Sequence, residues 1–172
     1  ASGLLYVDAA FVLGAGRVFG VDRSPKRLEA ARAFGAISTF EANDEVPARL
    51  RSMNDGRLAD LVILCAGAPE AIAQSLRCVE RGGTVLFSAP CNGNQTVTVP
   101  FNDLFWRNEI TLTSTYGSAP ADSNEALALI RSGRLHLKNM ITNRLGLGEI
   151  GQGFRLALEA RDALKVIIEP QR

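Results

Sequence analysis

The sequence predicts an α/β fold, a doubly wound parallel sheet flanked by helices. Three observations carry that prediction. Strand-like and helix-like segments alternate with short turns between them, the pattern of parallel strands joined by crossover helices. The run Asp60-Leu61-Val62-Ile63-Leu64-Cys65-Ala66-Gly67 is apolar without alternation and lies between turn signals, which suits a central parallel strand covered on both faces. The opening stretch from Ser2 to Asp22, SGLLYVDAAFVLGAGRVFGVD, reads as a helix, a glycine turn and a strand ending on a carboxylate. With 172 residues, 47% of them hydrophobic, the chain can bury a core.

Taken in order, Ser2 is placed to cap a helix in which Leu5, Ala9, Val12 and Leu13 recur at helical spacing, and Gly14 and Gly16 stop it. Arg17 to Asp22 follows as a short strand. Ser24-Pro25 is an N-cap with proline at the first helical position, and the helix KRLEAARAF closes at Gly35. A weak strand over Ala36 to Phe40, a short helix over Asp44 to Ser52 and a turn at Asp55-Gly56 lead into the apolar run. Pro69 starts the next helix, with Ala71, Ile72, Leu76 and Val79 as its buried side, and Arg81-Gly82-Gly83 turns it into the strand TVLFSAP. A loop with Asn92-Gly93-Asn94 and Pro100 precedes one helical turn from Phe101 to Trp106. In Ile110 to Tyr116, Thr and Ser alternate with apolar residues, the pattern of a partly exposed edge strand. Asp122 to Ser132 is an amphipathic helix ending at Gly133. Beyond it the texture changes, to one helix, Ile150 to Ala160, between two short strand-like pieces.

Composition narrows the function. Nineteen basic and eighteen acidic residues are scattered rather than blocked, so there is no electrostatic case for nucleic acid or for a membrane surface. No run approaches the roughly 20 apolar residues of a membrane span and no leader opens the chain, so a cytoplasmic protein is expected. Cys65, Cys78 and Cys91 are odd in number and thirteen apart, which fits reduced thiols better than a disulfide framework. With His136 as the single histidine, a tetrahedral metal site has too few candidates, and His136 is expected as a surface residue after a helix.

The opening stretch also carries a chemical signal. In the fingerprint G-x-G-x-x-G, glycines open a helix whose free N–H groups hold a pyrophosphate, and an acidic residue about 20 positions on takes the ribose hydroxyls. Gly3 stands 19 positions before Asp22, where the third glycine belongs. The preceding strand and two glycines are absent, so the sheet is expected to lack its usual first strand, leaving a gap between the strand at Asp22 and the strand at Cys65. Gly14-Ala15-Gly16 fails as a phosphate loop, because it leads into a strand and position 19 is Phe. Gly146-Leu147-Gly148-Glu149-Ile150-Gly151 matches letter for letter, with Glu169 18 residues after Gly151. It is set aside on physical grounds: Asn139 to Arg144 is polar for a buried first strand, Glu149 would put a carboxylate into an anion site, and no second unit follows.

These residues resemble the medium-chain dehydrogenases, specifically the zinc-type alcohol and polyol dehydrogenases. The resemblance runs through SGLLYVDAAFVLGAGRVFGVDRSPKRLEAARAFGA, DLVILCAGAPEAIAQSLRCVERGGTVLFSAP and MITNRLGLGEIGQGFRLALEARDALKVIIEP, so it covers essentially the whole chain. It implies a truncated Rossmann-like NAD(P)-binding domain over residues 1–117 and a segment, 118–172, that completes the catalytic domain. Gly3 then matches the third fingerprint glycine and Asp22 the adenosine-ribose carboxylate, which favours NAD over NADP because it repels a 2′-phosphate. Arg23 could hold such a phosphate and weakens that preference, and Arg27 matches a basic position flanking the ribose. Cys65, Ala66 and Gly67, with Phe87, Ser88 and Ala89, fall at the carboxyl ends of two strands, where open α/β sheets bind ligands. Tyr116 matches a residue whose backbone meets the carboxamide, and Lys165 one reaching the pyrophosphate.

The same resemblance implies that the zinc ligands and proton relay lie in a domain preceding this chain, so no catalytic or metal residue is expected here. By itself the chain should lack catalysis and bind NAD weakly. Asn143 stands where relatives often carry histidine, and Gly146 to Gly151 replaces a more polar helix start. A small alcohol or polyol would be the substrate, and subunits would pair edge to edge through Ile110 to Tyr116. Two other readings compete: an S-adenosylmethionine-dependent methyltransferase, which needs a closing antiparallel hairpin not found after Tyr116, and a non-catalytic NAD-binding subunit.

Overall fold

A computed structural model describes residues 2–43, 45–91, 93–159 and 163–171. The expected helix start at Asp44, Asn92 of the loop and the helix end at Ala160 lie outside the described residues. The strands form sheets of two, three and two, ordered β1-β2, β3-β4-β5 and β6-β7. The chain divides into two compact units, Ala1–Thr39 with Ala119–Arg172, and Phe40–Ser118.

In the first unit, α1 (Ser2–Val12) ends where Gly14 turns to φ 96°. The Ala15 N–H then reaches the Ala10 carbonyl at 2.8 Å and the Gly14 N–H the Phe11 carbonyl at 3.0 Å, a Schellman closure. Ser2 lies inside the helix rather than at its cap. The buried face is also not the expected one: Leu4, Val7 and Asp8 are buried, while Leu5 is 40% and Leu13 70% exposed. Leu5 and Leu13 recur at helical spacing, but so do Leu4, Val7 and Phe11, and packing selects the latter set.

β1 (Phe19–Asp22) is followed by α2 (Pro25–Ala33), capped by Ser24, whose Oγ accepts the Arg27 N–H at 3.4 Å. At Gly20 a Cβ would lie 3.1 Å from Ala31 Cβ, so glycine lets β1 approach α2 closely. β2 (Ser38–Glu41) pairs with β1 and carries the chain toward the second unit. The core joins Leu4, Val7, Ala31, Phe34, Ala36 and Met140.

Later in the same unit, α5 (Pro120–Arg131) was expected to be amphipathic, yet it buries no residue, and Leu127 and Ile130 are exposed. β6 (Ile141–Gly146) and β7 (Lys165–Glu169) are parallel neighbours joined through α6 (Ile150–Glu159). α6 turns Gly153 to this sheet, where a Cβ would come within 3.1 Å of Ile168 Cδ1.

The second unit contains α3 (Val46–Met53), β3 (Ala59–Leu64), α4 (Pro69–Cys78), β4 (Val79–Phe87), a π-helical turn (Asn102–Trp106) and β5 (Thr111–Ser114). Leu64 lies opposite Phe87 and Phe87 opposite Ser114, all strands running parallel. Ile72 and Leu76 are buried on α4 as expected and Ala71 is half-buried. Val79, expected on the same helix face, instead opens β4, which runs on through the expected turn at Arg81-Gly82-Gly83. Ile72, Leu76 and Val79 pack with Val85, Leu104 and Ile110. The expectation of a central strand in the run to Cys65 is corrected. β3 is outermost in its sheet and Leu61 is 52% exposed. The centre belongs to β4, with a strand on each side and Val85 fully buried, because position in a sheet is set by neighbours rather than by apolar content. β5 is the partly exposed edge strand its Thr and Ser pattern predicted.

Candidate functional site

Within the first unit, Gly3 occupies the first turn of α1, whose leading N–H groups have no intrahelical partners and attract anions. Asp22 closes β1. Its Oδ1 accepts the Ser24 N–H at 2.9 Å, and Arg27 places a guanidinium nitrogen 3.8 Å from Oδ2. The carboxylate is 33% exposed and the Arg27 side chain 35%, so both retain a face to solvent. The same Ser24 that caps α2 therefore also orients Asp22. Arg23 beside it is exposed. Lys165 is exposed at the start of β7, and its carbonyl accepts from the Thr142 hydroxyl at 3.2 Å.

Within the second unit, Cys65-Ala66-Gly67 leaves the end of β3 and Phe87-Ser88-Ala89 the end of β4. The Ser88 N–H donates to the Leu64 carbonyl at 2.9 Å, holding these two strand ends side by side. A Cβ on Gly67 would sit 2.1 Å from the Pro90 carbonyl oxygen, so only glycine admits the loop that follows β4. Burial pushes the Cys65 thiol above its ordinary value, leaving it a neutral wall rather than a nucleophile. Tyr116 is fully exposed beyond β5.

The structure thus draws together Asp22, Ser24 and Arg27 in one unit and residues 65–67 with 87–89 in the other. The letter-perfect motif behaves differently. Glu149 Oε2 accepts the Gly146 N–H at 2.9 Å, so a carboxylate already occupies the amide a phosphate would need. Sequence reasoning missed Ser24 as the group orienting Asp22, and it missed the partner of a buried carboxylate. Asp8 is 3% exposed, and its carboxylate meets Nδ1 of His136 at 2.9 Å. The His136 ring is 65% exposed, as a surface residue should be, but it is not free. The available signal was a lone carboxylate within an apolar helix.

A family model described as zinc-binding dehydrogenase matches residues 1–132. The chain belongs to that family. Among its relatives is an L-threonine 3-dehydrogenase from Bacillus velezensis, 31% identical over 98% of this chain and 48% of its own length. A sorbitol dehydrogenase from Bacillus subtilis is 28% identical over 99% of this chain and 48% of its own. The alcohol dehydrogenase structure from Thermotoga maritima superposes with TM-score 0.86 at 26% identity, covering 97% of this chain and 47% of that one. That from Thermus sp. ATN1 gives 0.84 at 29%, covering 97% and 48%. The chain spans about half the length of the curated relatives it matches. The methyltransferase reading is overturned by the family match, and β5 runs parallel to β4.

Two groups implied by the family can be compared with the residues present. A dinucleotide's ribose fits the first unit, where a one-third-exposed carboxylate stands at the end of β1. Zinc does not: among the described residues no group of three His, Cys, Asp or Glu could hold a metal ion.

Proposed function

We propose that this chain is the nicotinamide-dinucleotide-binding part of an NAD-dependent, zinc-type alcohol or polyol dehydrogenase. Residues 1–117 form the cofactor domain and 118–172 complete the catalytic domain. The observation that carries this reading is Asp22. It ends β1 at the fingerprint distance from Gly3 and is held by Ser24 with an open face.

Asp22 accepts hydrogen bonds from the adenosine-ribose hydroxyls, and its charge repels a 2′-phosphate. Arg27 keeps the carboxylate oriented. Gly3 leaves the first-turn amides of α1 accessible to the pyrophosphate, with Lys165 adding positive charge. The backbone at the ends of β3 and β4, residues 65–67 and 87–89, and that of Tyr116 orient the nicotinamide ribose and carboxamide. When bound, the nicotinamide ring supplies the hydride acceptor. Among the described residues no set of side chains could hold the zinc.

The exposed stripe on α6 supports the role of the last segment. Ile150, Phe154 and Leu158 are 42%, 65% and 83% exposed at four-residue spacing, a face suited to docking on a further domain. The parent is a cytoplasmic enzyme, in keeping with three free thiols.

Titration of the chain with NAD and with NADP, followed by calorimetry, tests the reading. NAD is expected to bind weakly and NADP more weakly still. Asp22→Ala should lower NAD affinity by about tenfold to a hundredfold, the worth of a hydrogen bond to a charged group, and narrow the gap to NADP. Equal NAD affinity in Asp22→Ala would overturn the assignment, and micromolar NAD affinity in the unaltered chain would overturn the expected weakness.

A further inference from the structure

The pair of buried Asp8 and exposed His136 has no part in the cofactor contacts proposed above. Asp8 Oδ2 accepts the His136 backbone N–H at 2.6 Å while Oδ1 faces the ring Nδ1 at 2.9 Å. A turn further along the helix, the Arg134 guanidinium donates to the Val12 carbonyl at 2.8 Å. Toward the helix start, Leu137 and Met140 pack in one cluster with Leu4, Val7 and Phe11. Leu4, Asp8 and Val12 are four apart, so they line one face of α1. Successive residues of 134–140 therefore hold three turns of that face. Apolar contacts allow sliding along such a face. A buried carboxylate with two donors does not, since displacement by one turn would leave it uncompensated.

We infer that Asp8 and His136 form a latch that fixes the axial position of α1 against residues 134–140, which makes His136 a positioning residue for the helix start at Gly3. The latch stands on geometry alone, while its consequence for cofactor binding rests on the proposed function. It ties the nucleotide-facing helix to the segment that leads from α5 into β6. Donation by the ring requires the hydrogen on Nδ1, leaving Nε2 to solvent.

Hydrogen exchange of the α1 amides, with the amides of β3, β4 and β5 as internal reference, tests the latch in the full chain, alongside NAD titration. In His136→Ala, α1 exchange is expected to quicken by about tenfold with the reference amides unchanged, and NAD affinity to fall. His136→Asn should restore both, because its carboxamide N–H can replace that of Nδ1. Asp8→Ala removes both acceptors and should act more strongly, and should it fail to fold, the His136 variants still decide. Unchanged α1 exchange in His136→Ala, or equal quickening in both regions, overturns the latch. Quickened α1 exchange with unaltered NAD affinity overturns the positioning role. An unaltered chain that binds no NAD while showing the local exchange effect overturns the cofactor reading and leaves the latch standing.

Discussion

Gly67 shows how one missing side chain can shape a site. Its position against the Pro90 carbonyl means that a methyl group must displace backbone rather than a flexible side chain. Gly67→Ala should destabilise by about 1–3 kcal/mol, the usual range for overpacking, read as a lowered midpoint in urea unfolding. Glu80 illustrates an electrostatic counterpart. The N–H groups of Leu58 and Arg81 hold its carboxyl below the ordinary value of 4.5, the Leu58 bond being 2.7 Å. A carboxyl depressed in the folded state stabilises above its unfolded value, and that contribution is lost as pH falls through the folded value. Urea titrations from neutral pH downward should therefore show stability falling below about 4.5, and Glu80→Gln should flatten that limb. Burial also pushes Cys78 up to about 11, consistent with a thiol that serves packing and not chemistry.

At the scale of elements, punctuation residues were the most legible features. Ser24-Pro25 and Gly35 bound α2 because capping and left-handed geometry are local, with Gly35 at φ 106°. Ser24→Ala should cost about 1 kcal/mol through the lost cap, measured by thermal unfolding. Which face of a helix is buried was less legible. α1 carries apolar residues around most of its circumference, so periodicity alone offered two stripes, and contact with Ala31 and Phe34 selected Leu4 and Val7. The apolar run of β3 likewise announced a strand but not its place in the sheet. Apolar content reports what a strand could bury, while TLTS in β5 reports an edge because three of its four residues are polar.

For the molecule as a whole, β5 ends the three-stranded sheet with Thr111 and Ser114 exposed, and Trp106 and Tyr116 stand in solvent nearby in sequence. We propose that Ile110 to Tyr116 pairs with the same strand of a second copy, a closed two-fold contact. Sedimentation over a concentration series should show a dimer, and Leu112→Pro, which removes a ladder donor, should shift it to monomer; a strict monomer at high concentration counts against the pairing.

The sequence by itself determined the α/β class, the order of helices and strands, the carboxylate at Asp22 and the small residues at two strand ends. Each is written in local spacing, cap chemistry or turn chemistry, which operate within a few residues. Tertiary structure decided what depends on distant partners. It placed β4 rather than β3 at the centre, turned the Gly146 loop onto its own Glu149, and joined Asp8 to a histidine 128 residues away. No periodicity spans such a separation, since a buried charge selects its partner only when the chain has folded around it.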